Sequence, residues 1–102
     1  MANTFKNYTD TAVGTSPSTS YTVGAATTAV MIGMTISNIT TSTITVDVQC
    51  AGVYLIKGAP IPAGSALSVL DGKIILETTN TVVITSDTAS SADAIISVLE
   101  QT

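Results

Sequence analysis

Histidine, arginine and tryptophan are missing from this sequence, and cysteine occurs once. The lack of histidine removes the commonest general base and the commonest metal ligand. The lack of arginine argues against a surface that tracks phosphates or reads bases. The three lysines, Lys6, Lys57 and Lys73, are too dispersed to form a basic patch, so nucleic acid is not an expected partner. Cys50 has no second cysteine to bridge and no imidazole to activate it. It lies on the apolar phase of its segment and reads as a small buried hydrophobe. Serine is abundant, but no Gly-x-Ser-x-Gly elbow occurs and no base exists to complete a triad, so no catalytic residue is assigned and the chain is expected not to be an enzyme. Asp71, Asp87 and Asp93 do not share one loop in the alternating pattern that calcium requires, and no phosphate-cradling glycine loop is present. No metal and no cofactor is expected.

Charge is scarce as well. Charged residues make up 10% of the 102 positions and hydrophobic ones 45%, whereas ordinary soluble domains carry roughly 25% charge. The net charge is −4. A chain with so little surface charge fits a subunit whose surface is largely covered by neighbours. The opening residues lack the basic-then-apolar build of a signal peptide. The longest apolar stretch, 23–39, is broken by Thr, Ser and Gly, so no membrane helix is expected and the membrane is not a partner.

What the sequence does have is alternation. Thr43-Ile44-Thr45-Val46-Asp47-Val48-Gln49-Cys50 places an apolar residue at every even position, the mark of a strand with one buried face. In the segment 29–39, Val30, Ile32, Met34 and Ile36 hold the phase expected to face the core, and Gly33 signals a bulge or a close backbone approach. Residues 38–42 read as a hairpin connection between these two strands. Ala51-Gly52 reads as a turn, and Asp71-Gly72 as a two-residue hairpin turn joining 66–70 to 73–77. The segment 58–64, with Pro60 and Pro62, reads as an extended crossing loop. An irregular edge strand is expected over 4–13 and a closing strand over 91–102. The whole predicts one all-β domain over 1–102, an antiparallel β-sandwich (jelly-roll or Ig-like) of eight or nine short strands.

Three segments also carry a resemblance. Tyr54-Leu55-Ile56-Lys57-Gly58-Ala59-Pro60-Ile61-Pro62-Ala63-Gly64-Ser65-Ala66-Leu67, the opening Met1 to Asn7, and the closing region from Val83 to Glu100 resemble small β-rich virion proteins of tailed phages, especially those of cyanobacteria and marine bacteria. The shared motifs are packing and turn motifs, so no functional residues follow from them. The resemblance implies a structural protein on the outer surface of the particle. It would decorate or cement the capsid by bridging copies of the major capsid protein, as a homo-oligomer, either a trimer or a dimer. A tail, baseplate or fibre-associated subunit is the alternative, and a receptor- or glycan-binding module using Tyr8, Tyr21 or exposed Thr/Asn loops is a further one. Termini and loops supply adaptable binding surfaces. The expected contact residues are therefore an N-terminal arm within residues 1–8, Ala2, Asn3, Thr4, Phe5, Lys6 and Tyr8, together with Ala59, Pro60, Ile61 and Pro62 of the proline segment.

Overall fold

The computed structural model describes residues 2–69 and 72–102. Nine strands run in the order β1 (Asn3–Val13), β2 (Ser18–Thr22), β3 (Thr28–Asn38), β4 (Ile44–Cys50), β5 (Val53–Ile61), β6 (Ala66–Ser68), β7 (Ile74–Leu76), β8 (Thr81–Ser86) and β9 (Ala92–Gln101). They form two antiparallel sheets packed as a β-sandwich. One sheet has the order β1-β9-β3-β6 with β7 also on β3, and the other has the order β2-β8-β4-β5. The expected all-β sandwich and the closing strand are both present. Between the sheets lies one apolar core built from the alternating positions, with Ile44, Val46, Val48 and Cys50 from β4, Val82 and Ile84 from β8, and Ala94, Ile96 and Val98 from β9.

The pairing differs from the sequence reading in four places, each for a physical reason. First, β3 and β4 are not a hairpin but belong to different sheets. Asn38, buried at the end of β3, makes the crossing possible. Its Nδ2 donates to the carbonyls of Ser42 and Ile61 at 2.7 and 2.9 Å, and its Oδ1 accepts from the Thr40 amide and hydroxyl at 2.8 and 2.7 Å. Second, β6 and β7 do not pair with each other. Both run antiparallel to β3, at Thr35–Ser37 and Ala29–Met31, as successive pieces of one edge. Asp71 of the expected turn lies outside the described residues. The turn with two positive φ angles is instead Ala51-Gly52, at 52° and 79°, which joins Cys50 to Val53.

Third, the proline segment is strand rather than loop as far as Ile61, with Pro60 opposite Thr45. β5 is an edge strand, and an edge accepts proline because one of its sides has no ladder to break. Fourth, β3 changes phase. Met31 pairs with Val98 and Gly33 with Ser97, leaving Ile32 as the extra residue of a bulge. Ahead of the bulge Ala29 and Met31 face the core. Beyond it Met34 and Ile36 do, while Val30 and Ile32 turn outward. Gly33 announced the bulge, and the bulge moved Val30 and Ile32 out of the expected core face.

Candidate functional site

Residues directly opposite each other in a sheet point to the same face. Across the five-strand sheet, Phe5 of β1 is opposite Leu99 of β9, Leu99 is opposite Val30 of β3, and Val30 is opposite Ile75 of β7. Their chain neighbours Ala29, Met31 and Val98 are buried, so this row points outward. It forms an unbroken apolar line over four strands, about 14 Å from first strand to last at the usual strand spacing. Its ends are the most exposed large hydrophobics among the described residues, Phe5 at 74% and Ile75 at 68%. Ile32 on the bulge and Ile95 add further exposed apolar surface to the face. A shallow groove beside the row is lined by Phe5, Lys6, Asn7, Ile32, Ser97 and Val98.

The outer face of the other sheet is different in kind. Its corresponding row is Thr19, Val83, Gln49 and Tyr54, and Lys57 lies over the Tyr54 ring with its Nζ 4.5 Å from the centroid. Among the described residues this row is interrupted by Thr19 and Gln49 and is not a continuous apolar line.

Asp10, Asp47, Asp87, Asp93 and Glu100 are engaged in holding the fold. Tyr8 and Tyr21 both donate to Glu100 Oε2, at 2.9 and 2.6 Å, and Lys6 Nζ lies 3.5 Å from Glu100 Oε1. The hydrogen bond from Tyr21 is the largest influence holding the Glu100 carboxyl below its ordinary pKa, and burial is the largest influence raising Tyr8 and Tyr21 above theirs. Tyr21 is buried and is not available as a platform for a sugar ring, whereas Tyr8 is partly exposed. Asp10 accepts from Ser18 and Ser20 at 2.6 and 2.7 Å, Asp47 from the Gly58 amide at 2.6 Å, and Asp93 from the Ala12 amide at 2.9 Å. Asp87 accepts from the Thr45 amide at 3.1 Å, the largest cause of its lowered pKa. Among the described residues no three potential metal ligands come together.

The expected contact residues separate into two groups that do not meet. Ala2 exchanges backbone hydrogen bonds with Thr102, and Asn3 to Asp10 pair in register with β9. The N-terminal segment is thus the outer strand of a sheet rather than a projecting arm. Phe5 and Asn3 point to the outer face, while Thr4, Lys6 and Tyr8 point to the inner side along the β1–β2 edge. Ala59, Pro60 and Ile61 end β5 at the margin of the other sheet, and Pro62 follows them. Ile61 is 1% exposed and belongs to the core, so it is withdrawn from the contact surface. The sequence reading missed Leu99, Val30, Ile32 and Ile95 as surface residues. The signal that locates them is cross-strand register, which depends on the bulge and on the partner of each strand.

The fold and this face define an all-β sandwich with one apolar outer surface and no concentrated reactive groups among the described residues. The chain matches no protein-family model, and no curated protein is similar to it.

Proposed function

We propose that this protein is a structural subunit of a tailed-phage particle that decorates the capsid, binding the major capsid protein through the outer face of its five-strand sheet. The observation that carries a binding role is the row Phe5–Leu99–Val30–Ile75. Exposed apolar surface that is continuous rather than scattered marks an interaction site. The virion location rests on the resemblance of the opening, central and closing segments to phage structural proteins. The scarcity of charge agrees with a surface meant to be covered. The action is mechanical: each copy adds buried interface between neighbouring capsid subunits and so resists outward pressure from the packaged genome.

The first test is the copy number per purified particle, measured by quantitative mass spectrometry against the major capsid protein. Hundreds of copies support decoration of the head. A dozen or so would move the protein to the tail, baseplate or fibre, and absence from the particle would overturn the virion reading. A second test substitutes the two ends of the row, Phe5→Ser with Ile75→Ser. Both side chains are solvent-exposed, so the fold should persist while occupancy on heads stripped of the protein falls. Unchanged occupancy would remove the outer face from the contact.

A further inference from the structure

A sheet edge is a template for another strand, and proteins blunt the edges they do not use. Three of the four lateral edges described in this sandwich are blunted. β2 is five residues long, follows Pro17 and shifts register between Thr19 and Tyr21. β5 carries Lys57 and Pro60 and shifts register twice. The third edge is divided between β6 and β7, three residues each. β1 is the exception. It keeps regular register from Asn3 to Asp10, with no proline and one lysine.

The direction of its free backbone groups follows from the ladder. Ala2 and Thr102 exchange both hydrogen bonds, at 3.2 and 3.0 Å. Antiparallel pairs alternate, so Ala2, Thr4, Lys6, Tyr8 and Asp10 bond toward β9. Asn3, Phe5, Asn7 and Thr9 then aim their N–H and C=O groups at the open side, and their side chains lie on the outer face.

We infer that β1 is a homodimer seam, in which two copies pair antiparallel about a two-fold axis at Phe5. Phe5 then stands opposite Phe5 of the second copy, and Asn3 opposite Asn7. Asn3, Phe5 and Asn7 of both copies form about six new backbone hydrogen bonds. The register is selected by the side chains. An axis at Lys6 would set two like charges face to face, which is unfavourable. An axis at Asn7 would leave Phe5, at 74% exposure, opposite Thr9. The axis at Phe5 pairs two aromatic rings and joins the two apolar rows end to end across eight strands. Lys6 then faces Thr4 and keeps its own Glu100.

Sedimentation of the full chain should give the mass of two chains. Asn7→Pro removes an open-side N–H that the β1–β9 ladder does not use. It should leave the thermal transition in place while weakening association about tenfold or more. Phe5→Lys, at an exposed position, should give a folded monomer, which keeps the test decisive if the proline variant fails to fold. Phe5→Cys should cross-link to itself on mild oxidation, because directly opposed residues bring their Cα atoms to about 5.5 Å. Cross-linking of Asn7→Cys in preference to Phe5→Cys would overturn the register. A monomer at millimolar concentration would overturn the seam itself and leave the outer-face reading of the particle contact standing. A dimer absent from particles would do the reverse.

Discussion

Tyr21 and Glu100 join the two sheets: the Tyr21 hydroxyl, on β2, donates to Glu100 Oε2, on β9, at 2.6 Å. Tyr8 donates to the same oxygen, and its ring packs on that of Tyr21 with centroids 4.5 Å apart. Tyr21 is buried while Glu100 is partly exposed and also faces Lys6. A hydrogen bond to a charged acceptor in this setting contributes about 1.5 kcal/mol. Tyr21→Phe should therefore lower stability by roughly that amount, and Tyr8→Phe by less, because Tyr8 is the more exposed. Equal effects in urea denaturation would contradict a tether centred on Tyr21.

The same bond sets the behaviour in acid. Glu100 is held below its ordinary pKa first by Tyr21, so the folded state favours the carboxylate. Its contribution is complete above the ordinary glutamate range and declines as pH falls through the lowered folded value. Asp87 acts in the same direction through the Thr45 amide. At the other extreme, burial raises Cys50 from 9.0 to about 11. That contribution is present below pH 9 and is lost between about 9 and 11, because the unfolded thiol ionises first. Tyr21, also raised by burial, extends the loss above pH 10. Melting temperature against pH should show a plateau between these limits, and Cys50→Ala should flatten the early part of the alkaline decline. A thiol reagent at neutral pH should leave the native chain unmodified and label it on unfolding.

Local alternation was legible in the sequence, and long-range partnership was not. Thr43 to Cys50 announces its buried face without ambiguity, and Ile44, Val46, Val48 and Cys50 are all in the core. Which strand lies beside it depends on one buried side chain. Asn38 resembles any polar turn residue in the sequence, yet its four hydrogen bonds send the chain to the other sheet instead of into a hairpin. Asp71-Gly72 has the composition of a hairpin turn, but the long free edge of β3 offered β6 and β7 a better partner than each other. The apolar outer row was obscured for a related reason. Val30 and Ile32 are as apolar as Met31 and Met34, and only the bulge decides which pair meets the core.

Asn38→Ala tests the crossover. The substitution removes the donor to the Ile61 carbonyl and the acceptor for the Thr40 amide, while the Ser42 carbonyl, on an exposed residue, keeps the Thr40 hydroxyl at 2.9 Å. Leaving buried polar groups unpaired costs about 1–3 kcal/mol each. A loss of about 3 kcal/mol is expected, large for a domain of this size. Asn38→Asp keeps the acceptor oxygen and loses the donor, so it should be as damaging at neutral pH. A change below about 0.5 kcal/mol, the range of ordinary surface substitutions, would show that the turn closes without this side chain.

The bulge in β3 separates two effects that are usually entangled. Ile32→Thr changes only an outward side chain that is 41% exposed, and stability should move by no more than about 0.5 kcal/mol. Deleting Ile32 is a different perturbation. It shortens the step from Met31 to Met34 from three positions to two, and strand phase has a period of two, so Ala29, Met31, Met34 and Ile36 then share one face without a bulge. Met31 opposite Val98 and Gly33 opposite Ser97 become consecutive pairs of a regular β3–β9 ladder, and the four residues, at 0–2% exposure in the native chain, keep their places in the core. The deletion should therefore retain a cooperative thermal transition, as the threonine variant does. A deletion variant that loses cooperative unfolding would mean that the bulge does more than set the phase of β3, and that the local twist it adds is needed for the sheets to pack.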